Sequence, residues 1–233
     1  MRTLILAAAL LAAPAVFAQN DRSESITGNG NVVTANVPVQ PFDALEASGV
    51  YELKLSQGDK EAVRIEADEN LQALFHVRND GSKLVIDMGK RKNLNLKKGT
   101  RLVVYVTFKS LRNISLSMVG NVRCDETLSF TDVKLKNNSV GNISLKLSAN
   151  RFELDNNAVG NVSLSGKAQS AVIKNDAVGA IRASDFVVQT MSIDNDGVGS
   201  AEVNAEKTLT VKDSFLGKVH NKGAARAKRN EVI

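Results

Sequence analysis

The sequence predicts an all-β protein whose C-terminal half is a parallel β-solenoid with rungs of about 20 residues. Three observations predict it: an aliphatic-Gly dipeptide at near-constant spacing, aliphatic columns at fixed offsets from that Gly, and one Asn column. The dipeptide stands at Val119-Gly120, Val140-Gly141, Val159-Gly160, Val178-Gly179, Val198-Gly199 and Leu216-Gly217, with Gly-to-Gly spacings of 21, 19, 19, 20 and 18. Self-similarity at such a period marks a repeat architecture.

Alignment on the Gly exposes the columns. Six residues before it stand Ile114, Leu135, Leu154, Ile173, Ile193 and Val211. Eight before it, from the second rung onward, stand Val133, Phe152, Ala171, Met191 and Leu209. Two after it come Val122, Ile143, Val162, Ile181, Ala201 and Val219, and four after it Cys124, Leu145, Leu164, Ala183 and Val203. The residues between are mostly polar, as at Ser144, Ser163 and Arg182. Each rung therefore carries two short strands with period-two alternation, one face apolar and the other wet. A single rung cannot bury its apolar face, but stacked rungs share one core. The clear rungs span 110–222.

Four residues before the Gly stand Asn137, Asn156, Asn175 and Asn195, then Asp213. An amide at a strand corner can bond the equivalent amide of the next rung, so this column reads as a structural Asn ladder. Gly120, Gly141, Gly160, Gly179, Gly199 and Gly217 read as the next bend, where a side chain would clash.

The N-terminal half is β-rich but irregular. Leu45 to Leu55 alternates, Ala62 to Ala67 alternates again, and Leu84 to Met88 follows a turn at Asn79-Asp80-Gly81. Arg101 to Phe108 (RLVVYVTF) is a strand entering the first clear rung, and Asn70 to Phe75 reads as one helical turn. These segments are expected to form irregular opening rungs plus a cap against an open sheet end.

Residues 1–18 read as a signal peptide: Arg2, an apolar stretch from Leu4 to Ala13, and Val16-Phe17-Ala18 as the cleavage site, with cleavage after Ala18. The apolar run is too short for a transmembrane span. Residues 19–31 are polar and Gly/Asn/Ser-rich, an expected flexible segment. A single domain then spans 32–222, and 223–233 is a basic tail expected to be frayed and solvated. The expected location is the periplasm, cell surface or extracellular space.

Removing the leader leaves 29 basic against 25 acidic residues, too mild an excess for a nucleic-acid partner. Aromatics at 4%, with no Trp, argue against stacking platforms for single strands or sugars. The only cysteine, Cys124, reads as a buried thiol. His76 and His220 are too far apart in sequence to suggest a zinc site or a triad, and no Gly-rich phosphate loop occurs, so no cofactor is expected. The sequons at Asn113, Asn137, Asn142 and Asn161 carry no weight in a bacterial chain, and several fall within the repeat columns.

The set resembles the head GIN domain family of putative autotransporter adhesins, found largely in secreted proteins of Bacteroidetes-type bacteria. The carriers are Pro41 to Leu53 (PFDALEASGVYEL), Asp68-Glu69-Asn70-Leu71, Gly81 to Ile86, and the Val-Gly-Asn-Ile/Val-Ser-Leu rungs at 140–145 and 159–164. The resemblance implies a right-handed parallel β-helix, an adhesive role and no catalytic set. It covers about Phe42 to Asn221. The Ala/Arg/Lys-rich tail departs from the family's glycine-rich ending.

Exported repeats with regular faces and no convergent reactive groups suit a non-enzymatic binding, adhesion or scaffold module for a surface, glycan or protein ligand. An assembly or envelope-stress factor is a related possibility. The alternative is a lyase-like polysaccharide enzyme, because parallel β-helices often host such chemistry. Asp176, Asp194 and Asp196 would then hold Ca²⁺ or act as acid and base, with Arg182 as base or charge stabiliser. A solvated turn, where Asp alternates with Asn157 and Ser214, explains the same acids structurally.

Overall fold

A computed structural model describes residues 27–89 and 99–229. The predicted leader, its cleavage site and most of the 19–31 segment lie outside the described residues, as does the end of the basic tail. The chain is nearly all strand, joined into one continuous sheet network.

The regular part fulfils the solenoid reading. Long strands β10 (Leu128–Asn137), β11 (Ile143–Asn156), β12 (Val162–Asn175), β13 (Ile181–Asn195) and β14 (Ala201–Asp213) stack in parallel, each bent so that it serves two ladders. The register pairs like with like: Leu135 with Leu154, Leu154 with Ile173, Ile173 with Ile193, Ile193 with Val211. These side chains are buried, and each burial is worth roughly 1.5–3 kcal/mol relative to exposure. Phe152 and Phe186 meet edge to face, with ring centroids 5.6 Å apart.

The N-terminal half supplies rungs, but not in chain order. β1 (Val32–Val37) is followed by β2 (Ala44–Val50) and β3 (Glu52–Gln57), which together make one coil. Chain growth then passes through β4 (Ala62–Asp68), a 3-10 helix (Glu69–Leu74), β5 (His76–Asp80), β6 (Lys83–Asp87) and β7 (Leu102–Phe108). The next coil is β8 (Asn113–Val119) and β9 (Val122–Cys124). In space, β2 lies between β6 and β8, and β3 lies between β7 and β9. The β6–β7 coil is therefore outermost although it follows β2–β3 in sequence.

β7 is the keystone of this arrangement. It pairs parallel to β3 and antiparallel to β4, filling a gap one strand wide left when the chain turned at Gly58. Val104 sits between Leu53 and Ile65, and Val106 between Leu55 and Val63; both valines are fully buried. β1 covers the outer edge of β4, and β5 covers β6, both antiparallel. The alternation read as one segment from Leu45 to Leu55 is two strands, broken at a corner where Gly49 takes φ +123°. Tyr51 occupies there the place held by Gly in the later rungs. Its ring is buried against Phe75, 5.6 Å between centroids, and this burial pushes its phenol pKa up.

The opposite end differs from the expected frayed tail. β15 (Val219–Asn221) and β16 (Ala227–Arg229) both pair parallel to β14, making the segment up to Arg229 the last rung. Asn221 Nδ2 ties the intervening loop by donating to the carbonyls of Gly223 and Ala225, at 3.1 and 2.9 Å.

Candidate interaction surface

The repeated dipeptide builds the most regular surface of the molecule. Gly120, Gly141, Gly160 and Gly179 adopt φ between +137° and +145°, a region that L side chains rarely enter. A Cβ on Gly141, Gly160 or Gly179 would fall 2.0–2.1 Å from the carbonyl oxygen of the Gly one rung earlier. Chain and chain thus touch at this bend. The preceding Val is bridged only at its backbone: Val119, Val140, Val159, Val178 and Val198 form successive single-residue parallel bridges. Their carbonyls accept from the earlier rung's Gly, as in Gly141 N to Val159 O at 2.8 Å.

With the backbone saturated and the chain turning sharply, the valine side chains point outward. They are 49–54% exposed, and the row continues into Leu216 at 61% and Phe215 at 87%. Five valines at the spacing of adjacent strands form a ridge about 19 Å long. Single exposed aliphatics need no explanation, but a contiguous row of this kind is a candidate contact surface. Sequence reasoning read the dipeptide only as a marker of the bend. The missed signal was parity: positions eight, six, four and two before the Gly face the core, so the valine one before it falls on the wet side of the same period-two alternation.

On one side of the bend the predicted Asn residues come together. Asn137, Asn156, Asn175 and Asn195 are buried, and each Nδ2 donates to the Oδ1 of the next Asn at 2.7, 2.6 and 2.5 Å. The chain of amides ends with Asn195 donating to the Gly217 carbonyl at 2.5 Å. A second, exposed Asn column lies just after the Gly. Asn121, Asn142 and Asn161 each accept, through Oδ1, the backbone N–H of the next rung, at 2.9–3.0 Å. One surface amide column, Asn121, Asn142 and Asn161, thus runs beside the ridge.

The acidic trio is not one site. Asp194 and Asp196 converge on the Lys212 ammonium, at 3.0 and 3.3 Å, while Asp176 faces Lys174 at 3.7 Å. Hydrogen bonds that Lys212 donates to Asp194 and then to Asp196 push its pKa up. Asp194 belongs to a column that alternates in sign: Lys136, Asp155, Lys174, Asp194 and Lys212 are successive register partners. Opposite charges one strand apart favour this register. Arg182 stands in the other ladder, paired in register with Ser163 and Glu202. No group of three or more His, Cys, Asp or Glu that could hold a metal occurs among the described residues.

Two open depressions cross the rungs. The larger, about 700 Å³, is lined by Thr127, Ser129, Phe130, Lys167 and Gln189 among others, and its lining holds no carboxylate or histidine. The smaller, about 460 Å³, contains Asp132 and Glu153 beside Arg112, Lys134 and Arg151. Arg151 donates to Glu153 at 2.6 Å and holds its carboxyl below the usual range. A general acid needs the opposite shift.

The remaining candidates are placed apart. His76 Nδ1 lies 3.1 Å from Asp87, whereas His220 stands on β15 in register with Glu202. Asp87, paired mainly with Arg78, has its pKa lowered to about 2. Cys124 is half-buried rather than buried, because β9 is short and the chain leaves the ladder at Asp125. Its Sγ accepts from Lys146 N at 3.1 Å, and burial raises its pKa. Sequence reasoning also missed Tyr105, whose ring is covered by the Arg64 guanidinium at 3.6 Å and approached by Lys54 at 5.1 Å. Cations against the ring leave little room for a sugar to stack there.

Residues 41–225 match the family model described as "Putative auto-transporter adhesin, head GIN domain". The chain belongs to the head GIN domain family. Solved structures share its fold. A "putative adhesin" from Bacteroides fragilis NCTC 9343 is 23% identical with a TM-score of 0.76, covering 88% of this chain and 100% of its own. A "putative lipid binding protein" from Parabacteroides distasonis ATCC 8503 is 20% identical with a TM-score of 0.66, covering 88% of this chain and 95% of its own. A "putative adhesin" from the same organism is 20% identical with a TM-score of 0.60, covering 89% and 96%. No curated protein matches the chain. In this head GIN domain, no helix among the described residues is long and apolar enough to cross a membrane.

Proposed function

We propose that this head GIN domain is an exported, non-enzymatic adhesion module that meets a glycan or protein on a surface through its valine ridge. The observation that carries the reading is the row of half-exposed valines held one strand apart by glycine contacts. A rigid row of apolar side chains beside a surface amide column offers contact area at low conformational cost, since valine has a single side-chain torsion. The family description supports a binding role. The leader read at residues 1–18 supports export.

The reactive groups favour binding over turnover. The acids that would serve a lyase are matched by Lys212, Lys174 and Arg151, and the lining of the larger depression offers no carboxylate or histidine. The test is direct binding of the purified exported chain to immobilised glycans, matrix proteins and envelope fractions. The reading expects saturable binding to at least one. Absence of binding throughout, or calcium-dependent cleavage of an acidic polysaccharide that Asp194→Ala abolishes, overturns it.

A further inference from the structure

The last rung breaks the charge pattern of the β10–β14 stack that precedes it. From Lys136 to Lys212 the outer column alternates in sign. From Ser214 to Arg229 there is no acidic residue, while Lys218, Lys222, Arg226, Lys228 and Arg229 are all exposed. Only Arg229 has an acidic partner: it donates to both Asp213 carboxylate oxygens, at 2.6 and 2.7 Å. The same rung carries the two most exposed large apolar side chains of the described residues, Phe215 at 87% and Leu216 at 61%. Among the described residues its strands β15 and β16 pair only with β14, at the outer edge of the described stack.

We propose that this end is a membrane-docking site that seats the solenoid on a bilayer containing anionic lipid. Phe215 and Leu216 would enter the boundary between headgroups and acyl chains, while the ammonium and guanidinium groups meet lipid phosphates. The chemistry favours this occupant. A second copy of the chain would bring the same cations against themselves. A soluble polyanion would engage the cations but leave Phe215 and Leu216 in water. A neutral apolar partner would leave four cations unmatched. The coil of β8 and β9 also lacks acids, but the last rung alone joins its cations to the two most exposed large apolar groups of the described residues, which fits a surface that is itself anionic and apolar. The site lies at the terminal end of the valine row, which it would hold upright away from the membrane.

The experiment is sedimentation of the exported chain with vesicles of phosphatidylcholine and phosphatidylglycerol, against vesicles of phosphatidylcholine alone. The proposal expects binding to the anionic vesicles on the order of a hundredfold tighter, weakening as salt is raised. Lys222→Gln and Lys228→Gln are each expected to weaken it about fivefold. The double variant Phe215→Ser/Leu216→Ser should unfold at the wild-type temperature yet lose vesicle binding. Equal partition onto both vesicles, binding to neither, or a Phe215→Ser/Leu216→Ser variant that still binds anionic vesicles overturns the proposal. The last result, joined to wild-type binding of dextran sulfate, would assign the patch to soluble polyanions. Val159→Thr should leave vesicle binding unchanged, so failure here and failure of the adhesive reading are separable.

Discussion

The two ends of the molecule solve one problem differently. At the N-terminal end the outermost coil is closed by antiparallel strands, β1 on β4 and β5 on β6, with a 3-10 turn and Tyr51 packed beneath. At the C-terminal end of the described residues the last pairings are parallel ones, β15 and β16 on β14, two short strands carrying cations. The stack between is self-templating, because each rung meets a copy of itself: Val on Val, Asn on Asn, Lys on Asp. The N-terminal end has no such template. Its coils are laid down out of order and locked only when β7 enters between β3 and β4. A closed end of this kind rests on pairings distant in sequence, whereas the stack rests on neighbours about 20 residues apart.

This difference can be broken at its strongest point first. Val104→Asp places a carboxylate between Leu53 and Ile65, with nothing to pair it. The expected cost exceeds about 4 kcal/mol, and the variant should fail to give a cooperative thermal transition by circular dichroism. Gly160→Ala tests the stack instead. Its Cβ would stand 2.0 Å from the Gly141 carbonyl oxygen at φ +137°. A loss of about 3–5 kcal/mol in urea unfolding is expected, from strain and overpacking together.

Asn156→Ala is milder. It strands the Asn137 amide donor and the Asn175 carbonyl acceptor in the core, so about 2–4 kcal/mol should be lost in the same measurement.

The smallest effect belongs to the open end. Burial works to raise the Asp213 pKa, but Arg229 and the Val219 N–H outweigh it and hold the carboxyl below its ordinary 3.8. A lowered folded pKa means the stabilisation is complete above the ordinary value and lost as pH falls through the folded one. The hydrogen-exchange protection factor of Val219 should therefore fall below pH 3.8 while that of Val162, in the middle of the stack, holds. Equal loss at both would show that the last rung is not a separate edge.

The solenoid was legible because its determinants are local and repeated. Six aliphatic-Gly dipeptides and the columns around them fix period, alternation and core in one alignment. The sign-alternating column Lys136, Asp155, Lys174, Asp194, Lys212 lay in that alignment too, and it explains acids that resemble a catalytic cluster when read singly. The rest was hidden for physical reasons. β1 and β5 are edge strands without fully buried residues, so they lack the apolar alternation that announces a strand. The insertion of β7 is a long-range register choice that RLVVYVTF does not encode by pattern alone. The outward aim of the valines was hidden because aliphatic columns are normally core, although their odd offset from the buried columns places them on the wet face. The last rung was hidden because lysine and alanine after Gly223 resemble a solvated tail, although Asn221, Ala225 and Arg229 bind it to the stack.

The central claim is that the valine ridge exists for contact and not for stability. It is tested by replacing Val140, Val159 and Val178 with Thr together, which keeps β-branching and removes apolar surface. Thermal unfolding and binding to the surface ligand found in the panel are then measured on the same sample. The account predicts a Tm within about 3 °C of wild type, as expected for exposed sites worth less than about 1 kcal/mol in sum, and binding weakened at least about tenfold. A large fall in Tm, or unchanged binding, would show that the ridge serves the stack and that the contact surface lies elsewhere.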